Sequence, residues 1–96
     1  MYRMIELPVS PNYEKNFTGL TRYLGPCTIC GKDVKDTKYG AWTNDDGSMV
    51  VHRDDIDARI ENGDAENDMG CFPVGSECYR ALTPEQKEYI VDFRVY

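Results

Sequence analysis

The spacing of four cysteines constrains this 96-residue chain more than any other feature. Two residues separate Cys27 from Cys30, and Gly31 follows directly. This arrangement is typical of a zinc knuckle, because a tight turn places both thiolates on one side and glycine can adopt the positive φ that the turn requires. Cys71 and Cys78 have a wider spacing than most paired ligands. We predict one zinc ion held by all four cysteines.

The length of the chain also favours a structural metal ion. A chain this short is expected to form one domain, and it buries a smaller fraction of its surface than a larger protein does. Two disulfides are the alternative, but they require an oxidising compartment. The first ten residues contain no long apolar stretch, and no segment approaches a membrane span. We therefore expect reduced thiols, a cytoplasmic location and no membrane partner.

The single histidine is an alternative fourth ligand. His52 follows a predicted strand and precedes Asp54 and Asp55, so we interpret it as a surface imidazole beside two carboxylates. Imidazole is nevertheless a common zinc ligand. The residues alone leave the fourth ligand open between Cys71 and His52.

The order of predicted elements indicates a small zinc-stabilised α+β domain comprising residues 1–96. We divide it into an N-terminal strand and irregular arm at 1–24, a zinc-knuckle core at 25–82 and a C-terminal helix and tail at 83–96. The core contains an acidic insert at 45–68. Its clearest element is a β-hairpin over 39–52, in which Asp-Gly in the turn is flanked by β-branched and aromatic residues.

Further strands are predicted at the two ends of the chain. Residues 2–7 are a short strand candidate, and residues 91–96 alternate between apolar and polar side chains. We expect these two segments to pair and to close the sheet through the termini.

Three short helices are predicted from their start signals. Asp54 or Asp55 precedes a helix that would have Ile56 and Ile60 on one face. Ser76 begins a second helix, with Cys78 in its first turn. The third follows a capping sequence at 83–86, where Thr, Pro and Gln occupy the N-cap, first and third positions.

The sequence from a knuckle through a hairpin to a ligand at a helix start resembles treble-clef zinc fingers over residues 27–82. The segments 27–32 and 75–78 also look like the C-x-x-C-G-[KR] and G-x-x-C boxes of small, mostly uncharacterised phage and mobile-element proteins. A treble clef usually takes two ligands from its helix start, whereas Ala81 occupies the second place here. The resemblance implies a phage-encoded accessory protein acting in the host cytoplasm.

The sequence favours binding over catalysis. Pro26 and the C-x-x-C pair match only the second half of the zinc-deaminase signature, since no histidine and glutamate precede them in the required spacing. A thioredoxin-type dithiol needs a βαβ context, and no serine has a recognisable catalytic partner. We therefore predict no enzymatic activity, with a zinc hydrolase as the remote alternative.

The negative charge is concentrated in the acidic insert. The chain has a net charge of −6, and the insert contains nine acidic side chains but only two arginines. Such a segment either keeps a small protein soluble or binds a basic groove on a partner protein. We predict that the partner-binding residues are its nine acids. These are Asp45, Asp46, Asp54, Asp55, Asp57, Glu61, Asp64, Glu66 and Asp68.

We therefore expect a non-enzymatic, zinc-stabilised protein-interaction module. Inhibitors of host defence nucleases, anti-CRISPR proteins among them, are a known class of phage accessory proteins, and this chain is similar to such proteins in size and acidity. The alternative is a nucleic-acid-binding zinc finger that uses Lys32, Lys35 and Lys38. Asp33 and Asp36 lie among these lysines and nearly cancel their charge.

Overall fold

A four-stranded antiparallel sheet organises the computed structural model, which describes residues 2–17, 23–35 and 38–96. The strands are β1 (Met4–Ile5), β2 (Gly40–Thr43), β3 (Val50–Val51) and β4 (Gly70–Pro73), in the order β1-β3-β2-β4. The helices are α1 (Tyr13–Asn16), α2 (Ile56–Glu61), α3 (Ser76–Ala81) and α4 (Pro84–Lys87). The predicted α+β class is confirmed. Within the described ranges, no helix has the length and hydrophobicity needed to cross a membrane.

The predicted hairpin is present as β2, a tight turn and β3. The Asn44 N–H donates to the Met49 carbonyl at 3.0 Å, and the turn returns through Gly47, which has a φ of +76°. Asp46 stabilises the turn by accepting hydrogen bonds from both the backbone and the hydroxyl of Ser48. The turn is therefore stabilised by hydrogen bonds among neighbouring residues, which are the residues from which it was predicted.

Strand β4 is an element that the sequence does not predict. It pairs with β2 along its whole length, from Gly40 opposite Pro73 to Thr43 opposite Gly70. This strand lies at an edge of the sheet, where a proline does not interrupt a ladder of hydrogen bonds. Its four residues show no alternation of apolar and polar side chains, so the pairing could not be read from the sequence.

The predicted pairing between the two ends of the chain is wrong. β1 pairs instead with β3, placing Met4 opposite Val51 and Ile5 opposite Val50. The C-terminal segment reaches the sheet elsewhere, since Val91 and Gly40 exchange backbone hydrogen bonds of 2.8 and 2.9 Å. Beyond Val91 the chain turns rather than extending. β1 thus pairs with the buried valines of β3 and not with residues 91–96.

Helix α2 follows its start signal but buries a different face from the predicted one. Ile56 is fully buried, whereas Ile60 is exposed, and Arg59 is buried in its place. Asp55 occupies the N-cap position without capping the helix, because its carboxylate accepts hydrogen bonds from Arg3. The Asp55–Arg3 ion pair and the buried Arg59, rather than a second isoleucine, thus fix this helix on the sheet.

The last two helices extend the core beneath the knuckle. α3 begins at Ser76, but Gly75 is the N-cap residue. The predicted capping box of α4 is confirmed, since Thr83 and Gln86 exchange hydrogen bonds between side chain and backbone. The buried cluster contains residues from the knuckle, from the sheet and its flanking segments, and from the segments that follow the two helices. It comprises Leu7, Cys27, Ile29, Val34, Ala41, Val50, Val74, Leu82, Tyr89 and Ile90.

A buried ion pair connects three parts of the fold. Asp68, two residues before β4, accepts two hydrogen bonds of 2.7 Å from the Arg59 guanidinium on α2. It also accepts a hydrogen bond of 2.8 Å from the Trp42 indole on β2. The Asp68 side chain has no solvent exposure. Its pKa is lowered by the Arg59 guanidinium and the Trp42 N–H, although burial acts in the opposite direction.

We expect Asp68→Ala to lower the free energy of unfolding by about 3–5 kcal/mol, because the buried Arg59 guanidinium would be left unpaired. Glu66→Ala is the control, since Glu66 is exposed and its removal should change stability by less than about 0.5 kcal/mol. Urea unfolding measures both variants. Equal stability of the two would show that the ion pair does not hold α2 in place.

The same pair should make stability depend on pH. The folded-state pKa of Asp68 is depressed, so its contribution is present above the ordinary carboxyl pKa of about 4 and is lost as the pH falls through the lowered value. Urea unfolding of the wild type and of Asp68→Ala between neutral and acidic pH should show their difference in stability shrinking in that window. A difference that is independent of pH would contradict the expectation.

Candidate metal centre and charged surfaces

Three of the four cysteines converge at one point. The sulfur atoms of Cys27, Cys30 and Cys78 all lie within 4.8 Å of one another, and all four cysteines of the chain are free thiols. A tetrahedral ion with metal–sulfur bonds of about 2.3 Å needs its sulfurs about 3.8 Å apart. The three thiols are therefore close to the positions that they would occupy around a single metal ion.

The knuckle turn fixes the first two thiols. The Cys27 N–H donates to the Lys32 carbonyl at 2.8 Å, and the Gly31 N–H donates to the Cys27 carbonyl at 2.9 Å. Gly31 has a φ of +80°, and a Cβ atom there would lie 2.5 Å from the Tyr13 carbonyl oxygen. Glycine is thus required for the turn and for the approach of α1.

Strand β4 and helix α3 bring the third thiol to the knuckle. Thr28 donates to the Pro73 carbonyl through both its N–H and its hydroxyl, at 3.0 and 3.1 Å. The Gly75 N–H then donates to the Cys27 sulfur at 3.2 Å. Cys78 lies in the first turn of α3, as predicted. The chain therefore returns to the knuckle through hydrogen bonds that are independent of any metal ion.

The cluster favours a cation because its thiols interact strongly. Burial raises the pKa of Cys27, but N–H donors from Gly75, Cys30 and Ile29 outweigh it, and the pKa is lowered overall. Burial and the neighbouring thiols raise the pKa of Cys78 to about 12. Close thiolates repel one another, so all three ionise together only when a positive charge lies between them. Metal binding would supply that charge and release the protons.

Cys71 does not join the cluster. It lies on β4 opposite Trp42, and its sulfur is 2.7 Å from the point where a Cβ atom of Gly40 would lie. Burial raises its pKa to about 11. The predicted set of four cysteines is therefore reduced to three in the structure, because the pairing of β4 with β2 places Cys71 against the start of β2.

His52 does not join the cluster either. Its side chain is buried, so the interpretation of a surface imidazole is wrong. The Asp54 N–H donates to its Nδ1 at 3.1 Å, and its ring packs edge-on against Tyr89 with 4.8 Å between ring centres. The His52 side chain therefore packs between β3 and the C-terminal part of the chain.

The acidic insert presents seven of its nine acids to solvent. The other two are in ion pairs: Asp55 with Arg3 and the buried Asp68 with Arg59. The Arg3 guanidinium lowers the pKa of Asp55 to about 2. The predicted set of partner-binding residues therefore loses Asp68, whose side chain has no exposed surface. The exposed members are Asp45, Asp46, Asp54, Asp57, Glu61, Asp64 and Glu66.

The lysines of the alternative basic patch are also exposed. Lys32, Lys35 and Lys38 lie at the surface, whereas Asp36 is outside the described residues. Asp33 accepts hydrogen bonds from the backbone N–H groups of Tyr23 and Gly25. Its carboxylate therefore stabilises the loop before the knuckle.

Comparison with known proteins gives no match to a family model, to a curated protein or to a solved structure. The resemblance to treble-clef fingers and to phage proteins therefore depends on the spacing of the cysteines and on the order of the elements. It stays a prediction.

We expect the N–H of Gly75 to contribute to metal affinity through its hydrogen bond to Cys27. Gly75 has a φ of −67°, which proline can adopt, but the proline Cδ would replace the hydrogen that points at the Cys27 sulfur, so Gly75→Pro both removes this donor and displaces that sulfur. Loss of such an outer hydrogen bond should weaken cobalt(II) binding by about tenfold or more. Competition with a coloured chelator measures the affinity.

Gly75→Ala is the matched control for that substitution. It keeps the N–H, and the added Cβ would lie at an ordinary contact distance of 3.8 Å from the Cys27 sulfur. Its affinity should stay within about threefold of the wild type, which is small beside the loss expected for an outer hydrogen bond. Equal affinities of the proline and alanine variants would show that the N–H has no role in metal binding.

Proposed function

We propose that this chain is a non-enzymatic binding protein in which one zinc ion stabilises a scaffold for an acidic surface. The observation that carries this proposal is the convergence of Cys27, Cys30 and Cys78. Thiolates are soft ligands that favour zinc among the abundant divalent ions, and zinc accepts tetrahedral geometry without strain. The ion would join the knuckle to α3 and so connect two distant parts of the chain.

The acidic surface is presented on an ordered backbone, which supports a binding role. The ion pairs of Asp55 and Asp68 attach the segment at both ends of α2 and before β4. Asp57 and Glu61 are four residues apart on α2, so their side chains lie on the same face of the helix. A charged surface that is already ordered loses little entropy on binding and increases the rate of association with an oppositely charged partner.

The proposed partner is a protein with a basic groove. Nucleases that hold nucleic acid in a positively charged channel have such a groove, and an acidic protein could occupy it in place of the phosphates. This agrees with the resemblance to phage accessory proteins and supports an inhibitor of a host defence nuclease, acting in the host cytoplasm. A nucleic-acid-binding finger that uses Lys32, Lys35 and Lys38 is the competing proposal.

We expect protein purified without added metal to contain one zinc per chain. Structural zinc in small domains contributes about 10–16 kcal/mol of binding free energy, which is comparable to the whole stability of a domain this size. A chelator should therefore abolish the cooperative thermal transition, and added zinc should restore it. Elemental analysis and circular dichroism provide the two measurements.

Single substitutions identify the ligands. Cys27→Ser, Cys30→Ser and Cys78→Ser should each lose the zinc and the folded state, whereas Cys71→Ser and His52→Ala should keep the zinc. A metal-free wild type that is fully folded with four free thiols would contradict the proposal.

Charge reversal tests the acidic surface. Asp54, Glu61 and Glu66 are exposed, so changing all three to Lys should leave folding near normal. Association with a guide-loaded RNA-guided nuclease should slow by about tenfold or more, and its dependence on salt should weaken. The matched control changes Glu6, Glu14 and Glu88 to Lys, which alters net charge equally outside the insert.

The competing proposal forecasts a different pattern. If the chain binds nucleic acid, both charge-reversed variants should bind duplex DNA more tightly, and Lys32, Lys35 and Lys38 to Ala should abolish that binding. Binding to the nuclease and to a 20-base-pair duplex at two salt concentrations separates the two functions. Nuclease binding that is weakened equally in both charge-reversed variants would show that net charge alone acts.

A further inference from the structure

The three thiols lie at the wall of an open cavity. This cavity has a volume of about 490 Å³, and the sulfur-bearing residues Cys27, Cys30 and Cys78 form part of its lining. Its lining also includes three polar residues and four charged ones, which are Ser10, Asn12, Asn16, Lys32, Asp33, Lys35 and Glu77. A structural zinc site is usually closed by four protein ligands, whereas a site that faces a cavity has room for a further molecule.

The described residues provide no fourth ligand. Within residues 2–17, 23–35 and 38–96, no other histidine, cysteine, aspartate or glutamate offers a ligand atom within 4.8 Å of all three sulfurs. The nearby Asp33 carboxylate already accepts hydrogen bonds from two backbone N–H groups. Cys71 and His52 are held elsewhere by the sheet and by Tyr89.

The shape of the site is maintained without a fourth protein ligand. The Asn16 side-chain amide donates to the Cys30 carbonyl at 2.9 Å and so holds α1 against the knuckle. Gly31 accommodates the Tyr13 carbonyl, and the Gly75 N–H donates to Cys27. The cavity is therefore bordered by backbone that is fixed on three sides.

The charged side chains that line the cavity balance one another, so the chemistry of the metal decides which donor completes the site. Three thiolates around a divalent ion have a net charge of −1, and a fourth thiolate would make it −2. Lys32 and Lys35 line the cavity together with Asp33 and Glu77, so the two lysines offset the two carboxylates and limit their repulsion of an added thiolate. Four thiolates are also a stable ligand set for zinc, so a thiolate is the donor that best completes a site of three cysteines.

We infer that the metal ion keeps its fourth coordination position open to this cavity and binds there an exogenous thiolate. The donor is either a low-molecular-weight thiol or a cysteine of another protein, and its proton is released to solvent as the metal–sulfur bond forms. This inference rests on the proposed metal site. It makes the metal a point of ligand attachment as well as a stabiliser of the fold.

Cobalt(II) substitution tests the inference, since the charge-transfer absorption reports the number of bound thiolates. Titration of the one-cobalt protein with glutathione should increase this absorption by about one third, as three thiolates become four. A ten-residue peptide with a single cysteine tests the protein source, and the same peptide with serine is its control. Equilibrium dialysis checks that one cobalt stays bound throughout.

Variants locate the binding position. Changing Lys32 and Lys35 together to Gln should weaken glutathione binding by about three- to tenfold, because the two lining carboxylates, Asp33 and Glu77, would then be unbalanced beside an anionic ligand. Changing Lys15 and Lys87 together to Gln is the matched control, since it removes the same charge and neither residue lines the cavity. Cys71→Ser should leave the cobalt spectrum unchanged.

The results distinguish a failure of the open coordination position from a failure of the metal site. A protein that binds no cobalt would overturn both. A protein that binds one cobalt but shows no spectral change with glutathione or the cysteine peptide would overturn only the open position. The open position would also be overturned if Asp36→Asn, Glu77→Gln or Cys71→Ser altered the cobalt spectrum of the thiol-free protein, because the chain would then supply the fourth ligand.

Discussion

The convergence of three thiols, which would repel one another as thiolates, is the constraint on which the rest of this structure depends. Sulfur atoms within 4.8 Å of one another cannot all carry charge unless a cation lies between them. The backbone nevertheless holds them together through the knuckle turn, the Thr28 contacts with Pro73 and the Gly75 N–H. Sheet, knuckle and α3 are arranged around a point that favours positive charge, in a chain whose net charge is negative.

Local signals in the sequence were sufficient for the elements that depend on few residues. The hairpin turn, the knuckle and the capping box at Thr83 and Gln86 are each defined by residues within a short stretch. Their hydrogen bonds form between near neighbours, so the chemistry of the turn or cap identifies them. The position of Cys78 in the first turn of a helix could be predicted for the same reason.

Long-range pairing accounts for what the sequence could not predict. Four residues without alternation gave no signal for β4, and its pairing with β2 keeps Cys71 away from the cluster of three thiols. The alternation of residues 91–96 predicted a strand that would pair with residues 2–7. In the structure β1 pairs with β3 instead. Arg59 and His52 were misjudged because polar residues are usually exposed, whereas here each is buried with a specific hydrogen-bond partner.

The edges of the sheet limit strand pairing between two copies of this chain. One edge is β1, with two residues, and the other is β4, which ends at Pro73. Short strands and a proline at the edge limit the backbone groups that a second chain could pair with. While the sheet is folded, this protein is therefore poorly suited to grow into larger assemblies by edge-to-edge strand addition.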